Sequence, residues 1–407
     1  MPSFSEILSK PTVFRDRNVL SPSYIPEVLP FREKEIELIM VGISPALKGQ
    51  RPKNIFIYGK TGTGKTASVK HVMKKFAEMK TSAQMFYVNC KIYNSRYRII
   101  QRIAKTYLPE TDKAGFGLSY LYEKLLEWIS ADSKHFILVL DEIDMVKDLD
   151  DLVYTLTRSN DDLKRGSVSM VGISNKLDFK EVLDPRSKSS LSETEMVFAP
   201  YKPEELQAIL RQRTDMGFQP DAVEDSAINL AAAIAAKETG DARYALRLLL
   251  QAGEIADAGS RADVTDKDVE AARRSVDVNV AMETIGTLPE HQKLVLYAVA
   301  NLTIAGSRYA KLAGEEDNFL LSGEVYEEYS RACRHLGHKK RSARWYRVYL
   351  NDLEMLGLIT TVESGKGIRG HTRLIKIGHA ADEVRKIMEN DLAIISGKET
   401  GAKLNSP

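Results

Sequence analysis

"NIFIYGKTGTGKTASVKHV", residues 54–72, is an apolar run, a loop with three glycines, and a Lys-Thr pair that opens an amphipathic segment. Gly59 and Gly64-Lys65-Thr66 fit the spacing G-x-x-x-x-G-K-[ST], in the strand–loop–helix context that the motif requires. Glycines let backbone N–H groups turn inward around phosphate oxygens, and the N-terminus of the following helix adds favourable partial charge. Gly59, Lys60, Thr61, Gly62, Thr63, Gly64, Lys65 and Thr66 are expected to hold nucleotide phosphates. Lys65 is expected to reach the β and γ phosphates, and the Thr66 hydroxyl to hold Mg²⁺.

Outward from this loop, "AQMFYVN", "HFILVLD" and "VSMVGIS" repeat the short apolar run, with helical patterns between them. Such alternation predicts an α/β fold with a parallel sheet. The expected division is a loosely held arm at 1–20, a nucleotide-binding base at 21–200 and a helical lid at 201–278. A winged helix is expected at 285–395, followed by a disordered tail at 396–407. The winged helix is read from three helical patterns followed by "LGLITTVESGKGIRGHTRLIKIG", two β-rich runs around a glycine-containing turn.

"FILVLDEID", residues 136–144, puts Asp141 and Glu142 at the C-terminal end of an apolar strand, where open α/β sheets bind ligands. Asp141 is placed to support Mg²⁺, and Glu142 to polarise a water for attack on the γ phosphate. Asn175 ends the next strand and can orient that water. Arg243, in "GDARYALRLL", opens a lid helix and is placed to reach the γ phosphate, so that the nucleotide sets the lid angle.

The 407 residues are 43% apolar and 28% charged, the composition of a globular protein, and no run of about 18 uncharged apolar residues suggests a membrane span. No secretory signal pattern opens the chain, so a cytoplasmic, nucleoid-associated location is expected. Cys90 and Cys333 are the only cysteines, with no zinc spacing.

The near-neutral net charge of +2 conceals local patches. Residues 331–376 hold eleven Lys or Arg against three acids. On the helix around "KRSARWYRVYLNDLEML", Trp345, Tyr349, Leu353 and Leu356 are expected to form the core face. Arg341, Arg344, Arg347 and Asn351 fall on another face, which suits a major groove. Lys366, Arg369 and Arg373 in the following turn suit phosphate or minor-groove contact. A second basic segment, "KIYNSRYRIIQRIAK", carries Arg96, Arg98 and Arg102 with no acid.

The phosphate loop, "LVLDEID", Asn175, "LDPRSKSSL" and "GDARYALRLL", followed by a winged helix, together resemble the archaeal initiators related to the origin recognition complex and the cell division cycle helicase loader. The resemblance runs from "LSPSYIPEVLPFREKEIELI" to residue 378. It implies an AAA+ ATPase using ATP/ADP and Mg²⁺, bound to double-stranded origin DNA. The implied partners are the minichromosome maintenance replicative helicase and other copies or paralogues on DNA.

By the same resemblance "SYIPEVLPFRE" flanks the adenine, Tyr201 and Arg213 close over the nucleotide, and the insertion holding Arg96, Arg98 and Arg102 touches DNA. Arg186 matches an arginine that faces a neighbouring subunit's phosphates, although Ser190 stands where many relatives carry Arg. Two other classes combine similar parts. Signalling phosphate-loop ATPases use a winged helix for packing and usually continue into repeats. Clamp-loader subunits end in a helical collar rather than a hairpin wing.

Overall fold

The computed structural model describes residues 11–112, 115–176, 179, 183–191, 194–306, 319–363 and 373–395. Two compact units divide at Ala272/Arg273. In the first, α1 (Glu33–Ile43) precedes β1 (Ile55–Tyr58), α2 (Lys65–Glu78) and β2 (Gln84–Asn89). There follow α3 (Arg96–Tyr107), α4 (Leu118–Ala131), β3 (His135–Asp141), α5 (Leu149–Asp162), β4 (Ser167–Ser174), α6 (Pro185–Leu191) and β5 (Thr194–Val197).

The five strands are parallel in the order β2-β3-β4-β1-β5. Every residue of β3 and β4 is buried, which explains why both read as continuous rather than alternating apolar runs. Ile99, Ile100 and Ile103 of α3 pack with Leu138 and Leu140 on one face of the sheet, while Val69, Val72 and Phe76 of α2 pack with Ile57 and Val139 on the other. Register aligns the strand ends: Tyr58 pairs with Ser174, and Asp141 with Ile173. The phosphate loop and Asp141 therefore emerge at the same edge of the sheet.

Sequence periodicity did not reveal β5, a four-residue strand beside β1. Short edge strands are compatible with little alternation, because only one neighbour fixes them. Residues 198–202 connect β5 to the lid helices α7 (Pro203–Gly217), α8 (Asp225–Glu238) and α9 (Ala242–Ala258). Pro203 at the first turn, and Glu205 accepting the Lys202 N–H at 2.9 Å, start α7.

Residues 11–20 differ from the loose arm expected. Val13, Phe14, Val19 and Leu20 are buried, and the Phe14 ring lies 4.8 Å from that of Phe218. The N–H groups of Arg15 and Asp16 both donate to the Gly217 carbonyl, and the Asp257 carboxylate accepts from Thr12, Val13 and Arg17. Four irregularly spaced side chains anchor this segment, a pattern that has no period to detect.

The division between units falls within α10 (Asp266–Thr287). The second unit continues with α11 (Glu290–Ala305), β6 (Leu320–Leu321), α12 (Ser322–His335) and α13 (Ala343–Met355). The antiparallel strands β7 (Ile359–Glu363) and β8 (Arg373–Ile377) form the hairpin expected from sequence, with β6 on the free side of β8. A last helix, α14 (Ala381–Ile395), adds Val384 and Met388 to this core. Among the described residues no helix is long and apolar enough to cross a membrane.

The core face of α13 is Tyr346, Leu350 and Leu353, which keeps Leu353 from the sequence expectation but begins at Tyr346 rather than Trp345. Trp345 and Leu356 are instead 55% and 48% exposed. The tyrosine explains the shift, since its ring fills the core while its hydroxyl donates to the Ser322 carbonyl at 2.9 Å.

Candidate functional site

The phosphate loop leaves β1 and enters α2 through glycines at positive φ, +155° at Gly59, +69° at Gly62 and +91° at Gly64. At Gly62 a Cβ would lie 1.7 Å from the Asp241 carboxylate, so the loop tip and the start of α9 approach too closely for any side chain. The Ala242 N–H donates to the Gly62 carbonyl at 3.2 Å, and Asp241 caps α9 by accepting from the N–H groups of Arg243 and Tyr244. Lid and loop are joined directly.

Lys65 is buried, and its ammonium donates to the carbonyls of Gly59 and Lys60 at 2.7 Å each. Burial first, and Arg243 second, push its pKa down to about 8. The Thr66 hydroxyl donates to Asp141 Oδ2 at 2.9 Å, and the Tyr87 hydroxyl to the same oxygen at 2.6 Å. Burial and this hydrogen bond raise Tyr87 above the usual phenol range, so its proton stays in place to donate.

Glu142 follows Asp141 at φ +54°, a left-handed conformation that is costly for a residue with a side chain. Burial first, and then the Asp141 charge, raise its pKa. Its Oε2 is buried and has no hydrogen-bond partner among the described residues. An acceptor held in this way beside a cavity is suited to a water.

Lys65, Thr66, Asp141, Glu142, Asn175, Tyr201, Arg213 and Arg243 all line one cavity of about 300 Å³. Arg243 is half exposed there, 3.6 Å from Asp241. Arg213 is buried and donates to the carbonyls of Val19 and Tyr24 at 2.9 and 3.4 Å, with its guanidinium 4.8 Å from the Tyr24 ring. It thus holds the segment containing "SYIPEVLPFRE" against the lid. Arg186 is exposed on α6 and does not line the cavity.

Sequence reasoning missed three residues here. Asp241 could have been found as an N-cap before a helical pattern. Tyr87 carried no signal of its own, and Arg32, which donates to the Thr63 carbonyl of the phosphate loop, was singled out only as part of "SYIPEVLPFRE".

Of the basic residues, Arg98 and Arg102 lie exposed on α3, opposite its buried isoleucines. Arg96 is turned toward α5, donating to the Thr155 hydroxyl at 3.2 Å and lying 3.9 Å from Asp151. In the second unit Arg341, Arg344, Arg347 and Asn351 are all exposed. Arg373 donates to the Asn351 amide oxygen, tying β8 to α13. Lys366 and Arg369 lie outside the described residues.

Comparison with known proteins accounts for the same three parts. An AAA domain model matches residues 48–179, a Cdc6 AAA+ ATPase-type lid model 207–274, and a CDC6 C-terminal winged-helix model 283–387. The chain is 39% identical over 393 residues to ORC1-type DNA replication protein 1 of Archaeoglobus fulgidus, covering 95% of this chain and 93% of that one. The chain belongs to the ORC1-type DNA replication protein family.

The ORC1-type protein of Pyrococcus abyssi is likewise 39% identical, over 96% of this chain and 93% of its own. Among solved structures, the Orc1 protein of Aeropyrum pernix, determined in complex with DNA, superposes with a TM-score of 0.78 at 35% identity, covering 94% of this chain and 98% of that one. The ORC1-type chain is therefore an AAA+ ATPase with a Cdc6-type lid and a winged helix.

Proposed function

We propose that this protein is an ATP-regulated replication initiator that binds origin DNA and recruits the replicative helicase. The observation that carries the ATP reading is the convergence of phosphate loop, strand-end acids and lid arginine on one cavity. Thr66 and Asp141 offer a hydroxyl and a carboxylate, oxygen donors suited to Mg²⁺ that is otherwise held by phosphates and water. Mg²⁺ bound there would neutralise charge on the transferring phosphate.

Lys65 is placed to leave its two carbonyls for the phosphates, and Glu142 to accept a proton from an attacking water. Arg243 is placed to report the γ phosphate to α9. Lys65→Ala is expected to abolish tight ATP binding, whereas Glu142→Gln keeps binding and loses turnover. Nucleotide titration and phosphate release measure both. Normal turnover in Glu142→Gln would overturn its role.

The DNA reading is supported by the exposed arginines of α13 beside a β-hairpin and by the DNA-bound relative. It also favours an initiator over a signalling ATPase or a clamp-loader subunit. Footprinting on genomic DNA with and without ATP tests it, and the absence of any specific footprint would exclude it.

A further inference from the structure

Arg32 stands just before α1 and is only 4% exposed, yet among the described residues its ion pair is the 3.4 Å contact with Glu35, and the rest of its guanidinium is held by carbonyls. Its Nε donates to the Thr63 carbonyl at 2.8 Å and one terminal nitrogen to the Ala199 carbonyl at 2.7 Å. The other terminal nitrogen donates to the Phe31 carbonyl at 3.0 Å and lies 3.4 Å from Glu35. The guanidinium carbon is 4.0 Å from the centre of the Tyr201 ring.

Thr63 belongs to the phosphate loop, whereas Ala199 and Tyr201 belong to the connector between sheet and lid. One planar cation therefore grips both.

In a planar trans peptide the carbonyl and the following N–H point in opposite directions. Fixing the Thr63 carbonyl on Arg32 consequently aims the Gly64 N–H away from Arg32. In a phosphate loop these N–H groups are the phosphate donors. Tyr201 completes the arrangement, since its hydroxyl would lie 2.6 Å from a Cβ at Gly64, and its N–H donates to the Gly240 carbonyl just before α9.

We propose that Arg32 is a positioning residue that orients the Gly64 N–H for phosphate and ties that orientation to the base-to-lid connector. The inference rests on the nucleotide reading of this cavity. Lysine does not reproduce the fork, because the Thr63 and Ala199 carbonyls are reached by two different nitrogens of one planar group and a single ammonium has neither that spread of donors nor a flat face for the Tyr201 ring.

The test uses the full chain, its Arg32→Ala and Arg32→Lys variants, and ADP as the probe. Circular dichroism first establishes that each variant is folded. Loss of a charged hydrogen bond that sets a phosphate donor should weaken ADP binding by about tenfold or more in both variants. The phosphorus resonances of bound ADP at saturation should move from those of the parent. Added guanidinium ion, well below denaturing concentrations, should restore part of the affinity of Arg32→Ala.

A purely structural role would lower thermal stability but leave those resonances in place once the site is full. Unchanged ADP affinity, or weakened affinity with unmoved phosphorus signals, would overturn the proposal. If Arg32→Ala does not fold, Arg32→Lys decides alone, and parent-like behaviour in it sinks the idea. A parent chain that fails to bind ADP overturns the nucleotide reading, and this inference with it.

Discussion

The Thr66 hydroxyl donates to Asp141 at 2.9 Å, joining the end of the phosphate loop to the end of β3 across the intervening strand β4. Asn at position 141 can still accept from Thr66 and Tyr87, so Asp141→Asn removes charge with little change of shape. ADP affinity measured in EDTA should stay within about twofold of the parent, because the backbone cradle is untouched. With Mg²⁺ present, turnover should fall about 100-fold or more, since charge neutralisation at the phosphate is worth several kcal/mol. Phosphate release assayed over a Mg²⁺ series distinguishes the two effects, and a parent-like Mg²⁺ dependence would remove Asp141 from metal binding.

Gly62→Ala should disrupt the junction of loop and lid. Its Cβ would fall on the Asp241 carboxylate, and φ of +69° costs a side chain about 1–2 kcal/mol. Asp241 can turn aside only by giving up its cap on α9, worth about 1 kcal/mol. The expected result is a chain about 2–3 kcal/mol less stable, with more hydrogen exchange in the first turn of α9 than in α8. Equal exchange in both helices would show that the loop does not hold the lid.

Asp257 sets an acid limit on the anchorage of residues 12–17. Burial opposes its charge, but the Thr12 hydroxyl, the Val13 N–H and Arg17 outweigh that effect and hold the carboxyl below its ordinary value of 3.8. A carboxyl lowered on folding stabilises fully above that ordinary value, and the contribution is lost as pH falls through the lowered one. Proteolysis near Arg15 and Arg17 should therefore be unchanged from neutral pH down to about 4. Asp257→Asn should be cleaved there faster at neutral pH, and equal cleavage rates in the variant and parent would show that the carboxylate does not anchor the segment.

How much of this was legible in the sequence depends on whether a feature has a period or a fixed spacing. Four of the five strands, the phosphate loop and the strand-end acids were readable because apolar runs and glycine spacing encode them locally. Residues 11–20 were not, since their order comes from Phe218, Gly217 and Asp257, more than 190 positions away. The individual role of Arg32 within "SYIPEVLPFRE" was invisible for a related reason: its hydrogen-bond partners are mostly backbone carbonyls, and any residue supplies those. On α13 Leu353 was correctly placed in the core and Trp345 was not, because sequence spacing could not tell whether Trp345 or Tyr346 faces inward.

The two basic surfaces should contribute separately to DNA binding, and the geometry now distinguishes residues that charge alone could not. Arg344→Ala or Arg347→Ala should cost about 1–3 kcal/mol and relax sequence preference where that side chain reads a base edge. Arg98 and Arg102 stand exposed on α3, so removing both should flatten the plot of log affinity against log salt by about two units without changing preference. Arg96 is engaged with Thr155 and Asp151, and Arg96→Ala should lower stability while leaving the salt slope as it was. Titrations of labelled duplex over a salt series, paired with thermal melts, measure all of these. A parent-like slope in the Arg98/Arg102 double variant would mean that α3 does not contact DNA, leaving the winged helix as the DNA-binding surface.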